Sequence, residues 1–543
     1  MTIANIRPSA SHVFAPEDTR GVGFVRWLGR LAVRQYALCA LLVLLFAAVN
    51  VFVGLNETRI DDSDEARYGV SAYEMVQSRS LVVTTYAGMP EYWNLKPPLG
   101  YWLIALSFHL FGVSPLTLRL PAALFALATV ALTMAFCRRH LNRRAALAAG
   151  LIVATTFGFF SHHGARSGDL DSALTFLLVL AVSLIPCLVE PSALIGFVAL
   201  LAAGFLLKSF AILPVLLVAG LWLAQTGSWR RLRPATCLAG AALFLAVTGA
   251  WAVARWHADG SPYFLQRMVG EDLLARSLRE IDKGSSAPWS YVVSLFDRLA
   301  PWPLLILGGL FATGATGWGR LRAILGRRGR RVAPLLALWI AVPLVLFSVA
   351  RTHHHWYMDP VYPALAVAAA CSLLAVLRRV PPAWRGTALL ACFVLPLVLC
   401  EARLLHRVLV RDRMPGSQRF LISLAGRRAE LGPELRAALP LRHSERFILE
   451  AMDGFRVAEG AGYGPPLGAT ADMPLLVRKA GAARGIRPDP DDGLLAESDA
   501  YSVYGSSNLD LEAARLRLSL PEGRRHLLRS LLRRHHGRLG RGA

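Results

Sequence analysis

Hydrophobic positions in this chain fall in long unbroken runs, not in the alternating or one-faced patterns of water-soluble domains. Eleven runs of membrane-crossing length lie near residues 36–54, 117–137, 145–161, 173–189, 192–207, 210–226, 236–255, 297–316, 332–350, 357–377 and 386–404. They predict about eleven transmembrane helices. A further stretch, "PPLGYWLIALSFHLFG" at 97–112, is shorter, opens with two prolines and carries His109. The polar segments between the runs decide what it does. If it does not span, the basic loops "RRHLNRR" (138–144), "WRRLRP" (229–234), "GRLRAILGRRGRR" (319–331) and "RRVPPAWR" (378–385) share the side of the N-terminus. If it spans, all four face outward, against the excess of Lys and Arg in cytoplasmic loops. Residues 97–112 are therefore expected to lie along the outer surface or to re-enter it.

The same parity gathers "DDSDEARYG" (61–69), "GARSGDLDS" (164–172), the segment 255–284 and "RTHHHWYMDP" (351–360) on the outer side. Acids, imidazoles and Lys96 then meet on one face, the layout of an outward-facing active site. The polar residues 406–543 predict a small outer-side domain of mixed strand and helix, with cues in "RFILEAMDGFRV" and "DAYSVYGSSNLDLEAARLRL". Residues 1–35 read as a cytoplasmic segment before a retained signal anchor. The basic end "RRHLLRSLLRRHHGR" has one leucine face that suits either anionic lipid or a frayed tail.

Composition agrees with a polytopic membrane protein: 55% of the 543 residues are hydrophobic. The net charge of +23 does not imply a nucleic-acid partner, because much of it sits in short loops between spans. The seven cysteines lie in or beside apolar runs without CxxC or Cys/His spacing, so no disulfide framework or zinc knuckle is expected. "NET" at Asn56 is a weak sequon.

The chemistry-bearing residues follow from these loops. "DEARYGVSAYEM" has amphipathic helical spacing and alternates acids with Arg67. In "WNLKPPLG", Lys96 stands before two prolines, a cation on a stiffened backbone that suits a phosphate at headgroup depth or simply snorkels. Lys208, in "GFLLKSF" at the outer end of a span, has the same two readings. His353, His354 and His355 with Asp359 offer donors for a divalent ion or a phosphate, although neighbours in a run cannot all face one ligand.

"DEARY…EM…KPPLGYWLIALSFHLFGVSPLTLRLPAAL" resembles the first outer loop of the bacterial GT-C membrane glycosyltransferases. That superfamily holds the lipid A aminoarabinose transferases and the protein O-mannosyltransferases. "ARSGDLDSALTFL", "GFLLKSFAILP" and "HHHWYMDPVYPALAVA" resemble its second acidic loop, its Lys-containing segment and its late aromatic-proline segment, in order over residues 36–375. The resemblance implies a GT-C fold over 36–405, with first outer loop 55–116. It also implies transfer of a sugar from a polyprenyl (undecaprenyl) phosphate carrier to a lipid or envelope glycan acceptor, at the periplasmic face of a bacterial inner membrane. By motif, Asp64 matches the family's catalytic Asp, with Glu65 beside it. Asp171 matches the second Asp because "LTF" follows it, with Asp169 as its rival, and Lys96 matches the phosphate-binding Lys. The chemistry fits these roles. A base takes the acceptor proton, while Lys96 with Arg67 or Arg166 holds the departing phosphate, which needs no general acid, so single displacement with inversion suffices. Leu95 stands where the aminoarabinose transferases carry an acid, and Glu271 and Asp272 stand where they carry a histidine, so their zinc site is not expected in its known form. The readings kept beside this one are a protein O-mannosyltransferase-like enzyme and a transporter; the latter would favour charged midplane helices and an internal repeat.

Overall fold

The structure is a computed structural model that describes residues 30–505 except 32, 93–94, 162, 276–277, 279–286, 288, 315–317, 438–439, 460–472 and 479–493. Most of the 1–35 segment and the leucine-faced C-terminal stretch lie outside the described residues.

Helices occur within all eleven apolar runs. They include α1 (Tyr36–Phe52), α4 (Pro115–His140), α5 (Arg143–Ala154), α6 (Asp171–Leu184), α7 (Pro191–Lys208), α8 (Leu213–Thr226) and α9 (Pro234–Asp259), preceded on the first loop by α2 (Asp64–Ser78) and α3 (Leu99–Phe111). Among the described residues six helical stretches are long and apolar enough to cross a membrane, or seven if the pair Ser290–Arg298 and Trp302–Phe311, bent by 105°, counts as one span. The remaining runs form shorter helices or share a stretch. The stretch Pro191–Thr226 leaves helical geometry at Lys208 (φ −149, ψ 39) and Ser209 (φ 43, ψ −117), which separates α7 from α8. The run 145–161 is not helical throughout: α5 stops at Ala154, and Phe159 and Phe160 turn into the core beneath the second acidic loop.

The faces of α1 show how such a chain packs. Leu38, Leu41, Leu42, Leu45 and Val49 are each more than half exposed, whereas Val43, Ala47, Asn50 and Val51 are buried. One stripe meets protein and the other meets lipid. Inside α4, the Thr129 and Thr133 hydroxyls donate to carbonyls one turn back, at 2.8 and 2.7 Å, so these polar groups are satisfied without water.

The short segment at 97–112 becomes α3, 13 residues and about 20 Å long. That is too short for the roughly 30 Å hydrocarbon core. Gly112 (φ 77) turns the chain from α3 into α4, where Ser114 and Thr117 form a capping box around Pro115. Pro121 has no N–H for the Thr117 carbonyl, and the Ser107 hydroxyl of α3 donates to that carbonyl at 2.7 Å, tying the two helices together.

Beyond the last helical stretch, which ends at Arg411, helix α10 (Gly416–Ser423) leads to a mixed five-stranded sheet. Strand β3 (Glu434–Ala437) runs parallel to β4 (Arg456–Glu459) and β5 (Leu475–Arg478), while β7 (Tyr501–Tyr504) pairs antiparallel with β5 and β6 (Leu494–Glu497), giving the order β4-β3-β5-β7-β6. A two-stranded ribbon, β1 (Thr85–Tyr86) with β2 (Met89–Pro90), lies in the first loop.

This C-terminal unit docks on the first loop. Phe447 lies against Gly69 of α2, where a Cβ would come within 2.6 Å of its ring. His443 Nε2 lies 3.3 Å from Arg67 and Nδ1 lies 2.6 Å from the Tyr86 hydroxyl. Because Arg67 can only donate, Nε2 accepts and Nδ1–H donates to Tyr86, which fixes the neutral tautomer. Burial first, then Arg67 and Arg446, outweigh Asp62 and Glu91 and hold the imidazole below its ordinary 6.5, while burial pushes the Tyr86 phenol up to about 12. A depressed folded-state value means that this contact's stability is present above pH 6.5 and is lost as pH falls. The melting temperature of the purified protein should fall on acidification below pH 6.5, and His443→Gln should flatten that fall. Parallel pH curves for the two proteins would overturn this.

Candidate active site

Two helices begin at the site. Asp64 is the first residue of α2 and Asp171 the first of α6, so each carboxylate occupies the positive end of a helix dipole. Both line a cavity of about 590 Å³, together with Lys96 of the first loop and Lys208 at the end of α7. Lys96 is 8% exposed. The Lys208 ammonium donates to both oxygens of Asp171, at 2.6 and 2.7 Å. That committed pair leaves Asp64, Lys96 and Arg351 as the other charged lining groups.

Most of the remaining lining is apolar, with Ser209, Thr352 and Tyr357 among it. Leu174, Leu178 and Val182 recur one turn apart on α6, with Leu213, Val215 and Val218 of α8 beside them. Trp339, Leu346 and Phe347 of α11 (Trp318–Val349) complete the wall. From Asp171 to Val182 this wall descends about 16 Å at roughly 1.5 Å per residue.

Asp169, the rival of Asp171, is not among the cavity-lining residues. Its Oδ2 lies 3.1 Å from His163 Nδ1 and accepts a hydrogen bond from Ser167. His163 adopts a left-handed backbone (φ 64) and packs on Trp356 with ring centroids 3.8 Å apart. Burial alone would depress this imidazole, but Asp169, with Asp171 and Asp64, raises it to about 9. Asp64, His163 and Asp169 bring donor atoms within 4.8 Å of one another, the kind of set that holds a divalent ion. The His163–Asp169 contact also closes the cluster on itself.

Several expected site residues are placed elsewhere. Glu65, next to Asp64, is 2% exposed and accepts from Arg119 Nε at 2.6 Å and Nη2 at 3.0 Å, from Gly168 N at 2.8 Å and from Asp61 N at 2.8 Å. It joins the two acidic loops and is not among the residues lining the cavity. Arg166 donates to the carbonyls of Asn50, Val51 and Val53 and so caps the end of α1; burial and then Arg119 lower its guanidinium to about 10. Arg67 pairs with Glu91 and reaches His443.

The three histidines do not converge. His353 is held by Ser290 Oγ at 2.7 Å and the Ala350 carbonyl at 2.8 Å, and His354 stacks on Trp356 with centroids 4.3 Å apart. His355 faces His163 at 6.3 Å, and Asp359 is 1% exposed within the tight turn His355–Val361. The turn of that segment fans successive side chains apart, so among the described residues these four do not form an ion-binding cluster. Two residues that the sequence reading passed over, Arg119 and His163, take central places instead. Their signals were an arginine inside an apolar run and a histidine beside Gly164 in the second acidic loop.

The sequence profile of the family described as dolichyl-phosphate-mannose-protein mannosyltransferase matches residues 95–253. An undecaprenyl phosphate-alpha-4-amino-4-deoxy-L-arabinose arabinosyl transferase from Pseudomonas aeruginosa (strain LESB58) is 30% identical over 358 residues, 63% of this chain and 60% of that protein. One from Pseudomonas fluorescens (strain Pf0-1) is 28% identical over 309 residues, 55% of this chain and 51% of that protein. The chain is thus similar, over part of its length, to the aminoarabinose transferases and to the O-mannosyltransferase family. It spans about half to three-fifths of the length of these curated relatives. The crystal structure of ArnT from Cupriavidus metallidurans bound to undecaprenyl phosphate has the same fold, with TM-score 0.64 and 18% identity over 87% of this chain and 98% of that one. The shared fold extends over 87% of this chain.

Proposed function

We propose that this multi-pass membrane protein is a glycosyltransferase. It moves a sugar from an undecaprenyl phosphate-type carrier to a lipid A-like acceptor on the periplasmic face of a bacterial inner membrane. The observation that carries this reading is the cavity itself: Asp64, Asp171, Lys96, Lys208 and Arg351 line it together with an apolar wall about 16 Å deep. Such a shape suits one amphiphile, a phosphate on a long hydrocarbon chain. The names of the curated relatives support the same donor class.

In this reading the acceptor hydroxyl attacks the anomeric carbon opposite the phosphate, and its proton passes to Asp64. The anomeric C–O bond breaks with its electron pair going to the phosphate oxygen, so the configuration inverts. Lys96 offsets the charge that develops on that phosphate. Lys208 fixes Asp171 at the head of α6 through both carboxylate oxygens. A divalent ion on Asp64, His163 and Asp169 would supply further positive charge near the leaving group; each step above is assigned to the chain's own side chains.

The reading is tested by incubating membranes with a panel of polyprenyl-phosphate sugars, 4-amino-4-deoxy-L-arabinose included, and weighing lipids and proteins by mass spectrometry. A mass gain on a lipid A-like lipid supports it. A gain on protein favours the O-mannosyltransferase-like reading that the family profile suggests, and no gain on either overturns both. Lys96→Ala should cost about 2–4 kcal/mol of transition-state stabilisation at unchanged expression. Lys96→Arg should recover part of that, since a planar fork replaces a point charge; full activity in Lys96→Ala would leave Lys96 a snorkelling residue. For the topology, a cysteine-free protein carrying Ser114→Cys should label from outside and one carrying Gly326→Cys only from inside. The reverse pattern would place the cavity's charged residues on the wrong face.

A further inference from the structure

Residues 57–62 run straight into Asp64 without forming a helix, and Ser63 gives α2 no side-chain cap. Locally the start of the helix is tied by the bond from Asp61 N to Glu65, at 2.8 Å, and by that from Arg67 N to the Ser63 carbonyl, at 3.3 Å. The segment is also held by the far end of the chain. The Glu57 carbonyl accepts from Met414 N at 2.8 Å, Arg59 N donates to the Asp412 carbonyl at 2.7 Å, and Thr58 and Arg413 form an antiparallel bridge between them. One residue further on, the Gln418 side chain pairs with the backbone of Ile60 in both directions. Its Oε1 accepts from Ile60 N at 2.9 Å and its Nε2 donates to the Ile60 carbonyl at 2.8 Å. Next, Asp62 Oδ1 accepts from Ser444 N at 2.8 Å and Ser444 Oγ at 3.1 Å. The opposite edge of the same segment is gripped by Arg119, which donates to the carbonyls of Arg59 at 2.6 Å and Thr58 at 3.2 Å.

We infer that the C-terminal unit is a working part of the active site, in which Gln418 and Ser444 act as positioning residues that set where Asp64 stands. The inference rests on the reading of Asp64 as the base. A base acts only within hydrogen-bond reach of its proton, and displacements near 1 Å cost on the order of 10²-fold. Each backbone residue left unfixed would have to be ordered during turnover, at a cost in conformational entropy. The ladder to 412–418 and 443–444 orders them beforehand. It also gives Asp62 a role distinct from a solvated surface charge: its carboxylate ties the loop before Asp64 to the C-terminal unit.

The test uses full-length protein with Gln418→Met, which keeps size and loses both hydrogen bonds, and Gln418→Glu, which keeps the acceptor and loses the donor. With the donor that the panel identifies, Gln418→Met should lower kcat about 10- to 100-fold, with KM and undecaprenyl phosphate binding within about twofold of the parent. Amide exchange over 57–66 should quicken, and Gln418→Glu should be intermediate. Ser444→Ala supplies the same comparison if Gln418→Met does not fold. A parental kcat in Gln418→Met overturns the inference, and so does a loss that appears equally in undecaprenyl phosphate binding and melting temperature. If Asp64→Asn is inactive while Gln418→Met is normal, the inference alone fails. If Asp64→Asn turns over normally, the general-base reading fails first.

Discussion

Asp64→Asn is expected to lower kcat about 10²- to 10⁴-fold, the range that a general base contributes, while undecaprenyl phosphate still binds. Asparagine keeps the size and the position at the head of α2 but cannot take the acceptor proton. Removing a negative charge near the carrier phosphate does not weaken attraction to it, so the loss should fall on kcat rather than on binding. The other acids should rank by their placement. Asp171→Asn should be severe because Asp171 lines the cavity and holds Lys208, whereas Asp169→Asn should be milder because Asp169 engages His163 away from the lining. Asp61→Asn should leave most activity, and Asp62→Asn can still accept from Ser444. Purified Asp64→Asn turning over near the parental rate with saturating donor would remove the base assignment.

The largest loss of stability is expected from Arg119→Met. Arg119 is 1% exposed and donates to Glu65, to three carbonyls between Leu55 and Arg59, and to the Thr58 hydroxyl. Breaking a buried pair by removing one partner costs about 3–5 kcal/mol, because the remaining charge stays buried and uncompensated. Arg119→Met should therefore lower the melting temperature sharply, and the double variant Arg119→Met/Glu65→Leu should recover part of the loss by removing the stranded carboxylate. A double variant no more stable than Arg119→Met would show that the carbonyl contacts, not the ion pair, carry the effect. An unchanged melting temperature in Arg119→Met would contradict the clamp altogether.

These two residues mark what could be read from the sequence. Long apolar runs announce helices wherever burial or lipid is uniform, and all eleven runs contain one. The run at 145–161 misled only at its end, because Phe159 and Phe160 are as apolar as a span but pack beneath a loop. Asp64, Lys96 and Asp171 were singled out through the family resemblance and Lys208 as a cation at the end of a span, and the cavity gathers all four. Glu65, Arg67 and Arg166 were named for the same chemistry, yet they face other partners. A helix turns about 100° per residue, so the neighbour of a cavity-lining acid points elsewhere, and no spacing rule says toward what. Glu65 found Arg119, 54 positions away, and Ile60 found Gln418, 358 positions away. Pairings at that separation exist only once the chain has folded, and a single sequence does not carry them.

The apolar wall of the cavity is about 16 Å deep, roughly one leaflet of a bilayer whose hydrocarbon core is about 30 Å thick. A long polyprenyl tail exceeds that depth, so part of it stays among the lipids while its phosphate is engaged. Under the proposed function, the donor arrives and leaves by diffusion in two dimensions, and what the enzyme would sense is the donor's mole fraction in the membrane rather than its molar concentration in the tube. Adding empty lipid or detergent at constant bulk donor should slow turnover as though substrate had been removed.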